Sequence, residues 1–172
     1  MKRLSIALSA LWLACLPAHA EWMLDGGVAI VAPSGGNSNI ELVVVSCGDP
    51  YHLEVLARGG AVAPEAGGEG QSDYFYQPGK IEARIDGQAF ALVAAGSDAA
   101  VVLFAQGTAA QDHMAPVGKA LITAMKAGTT LTLAFDITSQ KNADDGTSYE
   151  TFAEFPLAGS AAVLDTALAG CR

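Results

Sequence analysis

The side chains able to do chemistry are few and spread along the chain. His52 follows Gly48-Asp49-Pro50-Tyr51, so Asp49 and His52 can meet across a turn and share a proton or a ligand. Asp112 and His113 form a second acid and base pair, ahead of a helical segment where Asp112 would equally satisfy backbone donors and His113 stay solvated. The two pairs together would supply enough ligands for zinc, but their spacing does not force them to converge, and no metal and no cofactor is expected. Ser34, Ser46, Ser97 and Ser160 offer hydroxyls; none stands in G-x-S-x-G, and none is tied by local sequence to a histidine and an acidic orienter. Nucleophile activation depends on that geometry, so a small hydrolase with a site assembled around His52 or His113 is the alternative reading, and no catalytic residue is assigned. NADDG at 142–146 carries oxygen ligands without the spacing or late glutamate of a calcium hand, and Gly35-Gly36 and Gly67-Gly68 lack the lysine of a phosphate loop. These read as solvated turns.

Cysteine chemistry is set by where the chain goes. Residues 1–20 carry Lys2 and Arg3, an apolar run from Leu4 to Leu16, and Ala18-His19-Ala20 before Glu21, the pattern of a secretory signal. The run is 13 residues long, against the ~20 that cross a bilayer. Lipid attachment at Cys15 is a competing reading, with Trp12 standing where such signals usually have Leu. Removal of the signal leaves a single β-rich domain over 21–172, soluble and destined for the periplasm or the exterior. Its two remaining cysteines, Cys47 and Cys171, most simply form one structural disulfide in an oxidising compartment. No C-x-x-C pair is present to exchange it.

The full chain of 172 residues carries 9 basic and 18 acidic side chains, a net charge of -9, which argues against nucleic acid as a partner. After residue 20 the balance is 7 against 18, or -11. A composition 51% hydrophobic excludes a disordered acidic segment.

The elements that must position these groups read mostly as strands. VAIV at 28–31 follows an Asp25-Gly26-Gly27 turn, PSGGNSN at 33–39 punctuates the chain, and IELVVVSC at 40–47 is a core strand expected to carry Cys47 inward. YHLEVLA at 51–57 places Leu53, Val55 and Ala57 on one face, and residues 58–73 read as a surface loop. A turn at Tyr76–Gly79 contains Pro78, which favours the end or edge of a sheet. In KIEARIDGQAFALVA at 80–94, Asp86-Gly87 supplies a tight hairpin turn. VVLFA at 101–105 is another strand, and TTLTLAFDIT at 129–138 alternates most cleanly; YETFAEFPL at 149–157 is its partner, with Phe152 interrupting a simple division of faces. Val117, Leu121 and Met125 predict a helix over 116–127 ended by Gly128. Ser160 would cap a terminal helix that brings Leu164, Leu168 and Cys171 to one side, with Gly170 ending it. The sum is a mainly β fold: an antiparallel β-sandwich or curled sheet of about seven or eight strands with two peripheral α-helices.

KALITAMKAGTTLTLAFDIT at 119–138, EFPLAGSAAVLDTALAGC at 154–171 and the early ELVVVSC resemble small exported proteins of Gram-negative bacteria, of the invasion-associated locus B type and the VasI-like type. That resemblance implies a β-rich, disulfide-containing accessory protein without assigned chemistry. Tyr74, Phe75 and Tyr76 beside a glycine-rich loop are the candidate partner-binding residues, unless they pack in the core. The expected function is binding of another macromolecule, a protein or cell-envelope component, without turnover.

Overall fold

A computed structural model describes residues 21–59, 73–135 and 151–171. The signal segment, most of the 58–73 loop, the end of the 129–138 strand and the NADDG turn lie outside the described residues.

Eleven strands form one antiparallel sheet in the order β1-β2-β4-β5-β8-β7-β6-β10-β11-β3, with β9 added beside β8. They are β1 (Met23–Asp25), β2 (Val28–Val31), β3 (Gly35–Gly36), β4 (Ile40–Cys47), β5 (Tyr51–Ala57), β6 (Asp73–Ile85), β7 (Gln88–Ser97), β8 (Ala100–Gln106), β9 (Met114–Ala115), β10 (Thr130–Phe135) and β11 (Thr151–Pro156). The mainly β, antiparallel fold with two peripheral helices is as the periodicity predicts. The added strands are the short β1, β3 and β9, too brief to leave an alternation in sequence.

Alternate residues of every long strand face one core. Val43 and Val45, Leu53 and Val55, Val101 and Leu103, Ala83 and Ile85, Leu131 and Leu133, and Ala153 and Phe155 are all buried in a single cluster. The sheet is not closed into a barrel, but it curls until its opposite ends touch. Residues 32–34 carry the chain from β2 directly to β3 at the far edge, where Gly35 and Gly36 pair with Glu154 and Ala153. Gly36 has φ +122, and a Cβ there would collide with the backbone of Phe152 and Ala153, so only glycine permits this approach. Nearby, the Trp22 indole N–H donates to Pro156 O at 2.7 Å.

The Asp86-Gly87 turn joins β6 to β7 with φ of 48° and 87°, the double left-handed conformation of a tight hairpin. The Asp86 carboxylate accepts from the N–H groups of Thr129 and Thr130 at 2.8 and 3.3 Å, tying that turn to the start of β10. Pro78 sits within β6, at the register shift between Tyr76 and Ile81 and not at a strand end. A bulge tolerates the missing N–H as well as an edge does.

Helix α1 (Lys119–Ala127) starts three residues later than the periodicity predicts because Gly118 stays extended. Val117, Leu121 and Met125 are buried as expected, and Gly128 ends the helix through its N–H to Ala124 O. Helix α2 (Ser160–Ala167) lies against α1 and strands β1, β2 and β4. Ser160 does not cap it: Gly159 occupies the cap, and the fully buried Ser160 hydroxyl donates across to Met125 O at 2.7 Å. The helix ends at Ala167, before Gly170. The Lys126 ammonium meets the Asp165 carboxylate at 2.7 Å on the rim of the same pair.

Cys47 and Cys171 are bonded, with Cα atoms 5.1 Å apart. Cys47 lies on the same face of β4 as the buried Val43 and Val45 but is exposed at the strand's end, so the link fastens the tail, whose Cys171 packs against the core, at the sheet's rim. Replacing Ser160 with alanine is expected to cost about 1–3 kcal/mol, because Met125 O would be left buried without its donor. Urea unfolding of S160A reads this directly; a midpoint equal to that of the wild type would show the bond to be dispensable.

Candidate functional site

His52 lies in β5 with its side chain on the outer face of the sheet, directly across from Ser46 in β4. Its Nε2 is 3.5 Å from Glu54 Oε2, so the carboxylate beside it is Glu54 and not Asp49. This places a hydroxyl, an imidazole and a carboxylate in one patch. The Ser46 hydroxyl, however, is directed to Cys47 O at 3.5 Å. General-base activation needs a short bond from nucleophile to imidazole, and that bond is not formed here.

His113 follows a 3-10 turn at Ala109–Gln111 and has φ 62°, with Asp112 at φ 49°. Its backbone N–H donates to Thr108 O at 2.9 Å and its carbonyl accepts from Gly107 N–H at 2.8 Å. Asp112 thus closes a turn and does not cap α1. Among the described residues no group of three or more His, Cys, Asp or Glu side chains is placed to hold a metal ion. Ser34 Oγ donates to Glu154 O at 3.3 Å, and Ser160 is engaged in the core.

Of the aromatic trio, Phe75 is the member whose side chain is described, and it is 37% exposed. Tyr74 and Tyr76 are placed by backbone register opposite Gly96 and Ala94; their side chains lie outside the described residues.

Phe75 stands at one end of a longer feature. Residues directly opposite in antiparallel strands share a face, and the registers align Met23, Ile30, Val44, Glu54, Val102, Ala95 and Phe75 in one row across seven strands. All lie on the outer face, where a solvated sheet ordinarily alternates to polar side chains. The flanking rows continue the pattern with Leu42 opposite Leu56, and Phe104 opposite a fully buried Val93. Met23, 55% exposed, and Phe75 are two of the three large apolar side chains exposed among the described residues; the third, Leu24, is also in β1. On strands β2, β4, β5, β8 and β7 the ionisable outward side chains are Glu41, at the start of β4 and paired to Arg58, and His52 and Glu54 on β5.

The remaining outer face is different. On β6, β10 and β11 it carries Arg84, Thr132 and Glu154 in one row, and Arg84 is ion-paired to Glu82. Half of the sheet therefore wears an ordinary polar exterior and half does not. The signal in the sequence is the unbroken apolar run: VAIV, LVVV and VVLF supply hydrophobic side chains to both faces, whereas KIEARI and TTLTL alternate. Read only as strand formers, those runs do not reveal their outward residues as a surface.

A concavity of 620 Å³ opens between the β2–β3 link and the start of β4, lined by Pro33, Ser38, Asn39, Glu41 and Arg58 among others. Arg58 is ion-paired with Glu41, and Asn39 Nδ2 donates to Arg58 O at 3.1 Å. The cleft mixes polar walls with the apolar Ala32, Pro33, Ile40 and Leu42, and its charges are matched within it. No protein-family model, curated protein or solved structure matches this chain.

Proposed function

We propose that the protein is an exported accessory protein of the periplasm or exterior that binds another macromolecule through the apolar half of its outer sheet face. One observation carries the reading: the row from Met23 to Phe75 is apolar at six of seven positions, on the side of the sheet away from the core. Covering such a surface releases on the order of 25 cal/mol per Å² of apolar area removed from water, and contiguous exposed apolar patches on soluble domains commonly mark contact sites.

The location rests on the signal-like residues 1–20 and on the Cys47–Cys171 disulfide, a bond favoured outside the cytosol. No helix among the described residues is long and apolar enough to cross a membrane. The resemblance to locus B type and VasI-like proteins supports the same accessory role. Binding would proceed by shape-complementary burial, with the disulfide holding the scaffold and no covalent step.

A photo-crosslinking amino acid at Val102, at the centre of the face, tests this in the full-length exported protein. The expected result is a discrete crosslinked species from position 102 and none from Thr132 on the polar half. Equal crosslinking from both positions, or none from 102, would remove the face as a docking site.

A further inference from the structure

We propose that the Cys47–Cys171 bond is itself a reactive site, a thiol-exchange point entered at Cys47. An incoming thiolate, from a small thiol or from a C-x-x-C dithiol protein, attacks Cys47 Sγ and releases Cys171 while α2 stays docked. The inference does not depend on the docking face.

The two sulfurs are unequally placed. Exchange depends on which sulfur an attacking thiolate can reach, and the attack comes from the side away from the sulfur's partner. Cys47 is exposed at the end of β4 and is followed by the exposed Gly48 and Asp49. Cys171 is half-buried and packs against the core cluster, as do Ala167 and Tyr51, the residue opposite Cys47 in β5. Protein therefore crowds Cys171 where water reaches Cys47. In the step, a bond forms between the incoming sulfur and Cys47 Sγ as the Cys47–Cys171 bond breaks. The incoming sulfur is oxidised to the disulfide level, and Cys171 leaves with the electron pair as a thiolate that takes a proton from water.

The tail has other fastenings. Ser160 donates to Met125 O at 2.7 Å, Leu164 and Leu168 are buried, and Lys126 Nζ lies 2.7 Å from Asp165 Oδ1. Beyond the helix, the Cys171 N–H donates to Leu168 O at 3.2 Å. These contacts keep Cys171 beside Cys47 once the bond is open. At the high effective concentration of a tethered group, the released thiolate attacks Cys47 Sγ in turn and expels the incoming thiol. The site thus opens and recloses without global unfolding.

Peptide mass mapping tests the proposal. The oxidised, folded chain is treated in one arm with reduced glutathione and in the other with a C-x-x-C dithiol protein whose second cysteine is serine, so that its mixed disulfide persists. Each reaction is quenched with acid and the released thiol is then alkylated. The expected product carries the adduct on Cys47 and the alkyl group on Cys171, in excess over the reverse by at least about tenfold. In denaturing urea, where both sulfurs are accessible, that preference should fall to near equality. An adduct on Cys47 from glutathione alone identifies a small thiol as the reagent, and one from the dithiol protein alone identifies a protein partner; either supports the site. Equal adducts on the two cysteines of the folded chain, a preference for Cys171, or no adduct from either reagent until urea is added each overturns the proposal. None of these results bears on crosslinking at position 102, so the docking reading stands or falls separately.

Discussion

Replacing Cys47 and Cys171 together by serine is expected to remove about 5 kcal/mol of stability, the entropy of closing a long loop in the unfolded chain. The bond spans 124 residues, and its two cysteines sit on β4 and just beyond α2, so six of the ten described strand pairings lie wholly within the loop it closes. Domains of this kind are stable by only ~5–15 kcal/mol, so the loss is a large share of the total. Equilibrium urea unfolding of the double variant beside the oxidised wild type measures it. Cys47 is exposed at the rim but Cys171 packs partly buried against the core, so the reduced wild type, measured alongside, separates the covalent link from the packing of the second sulfur. A loss under about 1 kcal/mol would mean that the unfolded chain is held compact by other means.

Trp22→Ala is the second large effect, expected at about 3–5 kcal/mol and a fall in Tm of roughly 10 °C. Trp22 is 7% exposed, belongs to the core cluster, and donates to Pro156 O, so the alanine both empties a large volume and removes the bond where the sheet's ends meet. Trp22→Phe should keep most of the burial and lose about 1 kcal/mol for the hydrogen bond. Thermal unfolding followed by far-ultraviolet circular dichroism is the suitable measurement, because Trp22 is the one tryptophan after residue 20 and fluorescence vanishes with it. A change in Tm below about 2 °C would show that the curl is held without this contact.

Elements carried by local chemistry are legible in the sequence. The Asp86-Gly87 hairpin, the alternating Leu131, Leu133 and Phe135, and the spacing of Val117, Leu121 and Met125 all express preferences of a few neighbouring residues. What escapes is set by distant partners. Gly35-Gly36 reads as a turn until β11 lies beside it, and Ser160 reads as a cap until Met125 O lies opposite. Pro78 reads as a strand end until the register shift in β6 absorbs it. Of the candidate site, Phe75 is named by its aromatic neighbours, but its companions Ile30, Val44 and Val102 come from three separate strands. Only the register puts them in one row, and no single segment contains that information. His52 and Glu54 are adjacent on one face by simple alternation, yet the local motif draws attention to Asp49, which the turn places elsewhere.

The link from β2 to β3 has a consequence for how the molecule comes into being. A chain delivered with its amino end first cannot seat Gly35 and Gly36, or anchor Trp22, until Glu154 and Pro156 have arrived, a wait of 134 residues for the indole. Contacts so remote along the polymer are slow to find. Completion is thus deferred to the last moments of synthesis, and until then the growing chain is kept from locking its shape.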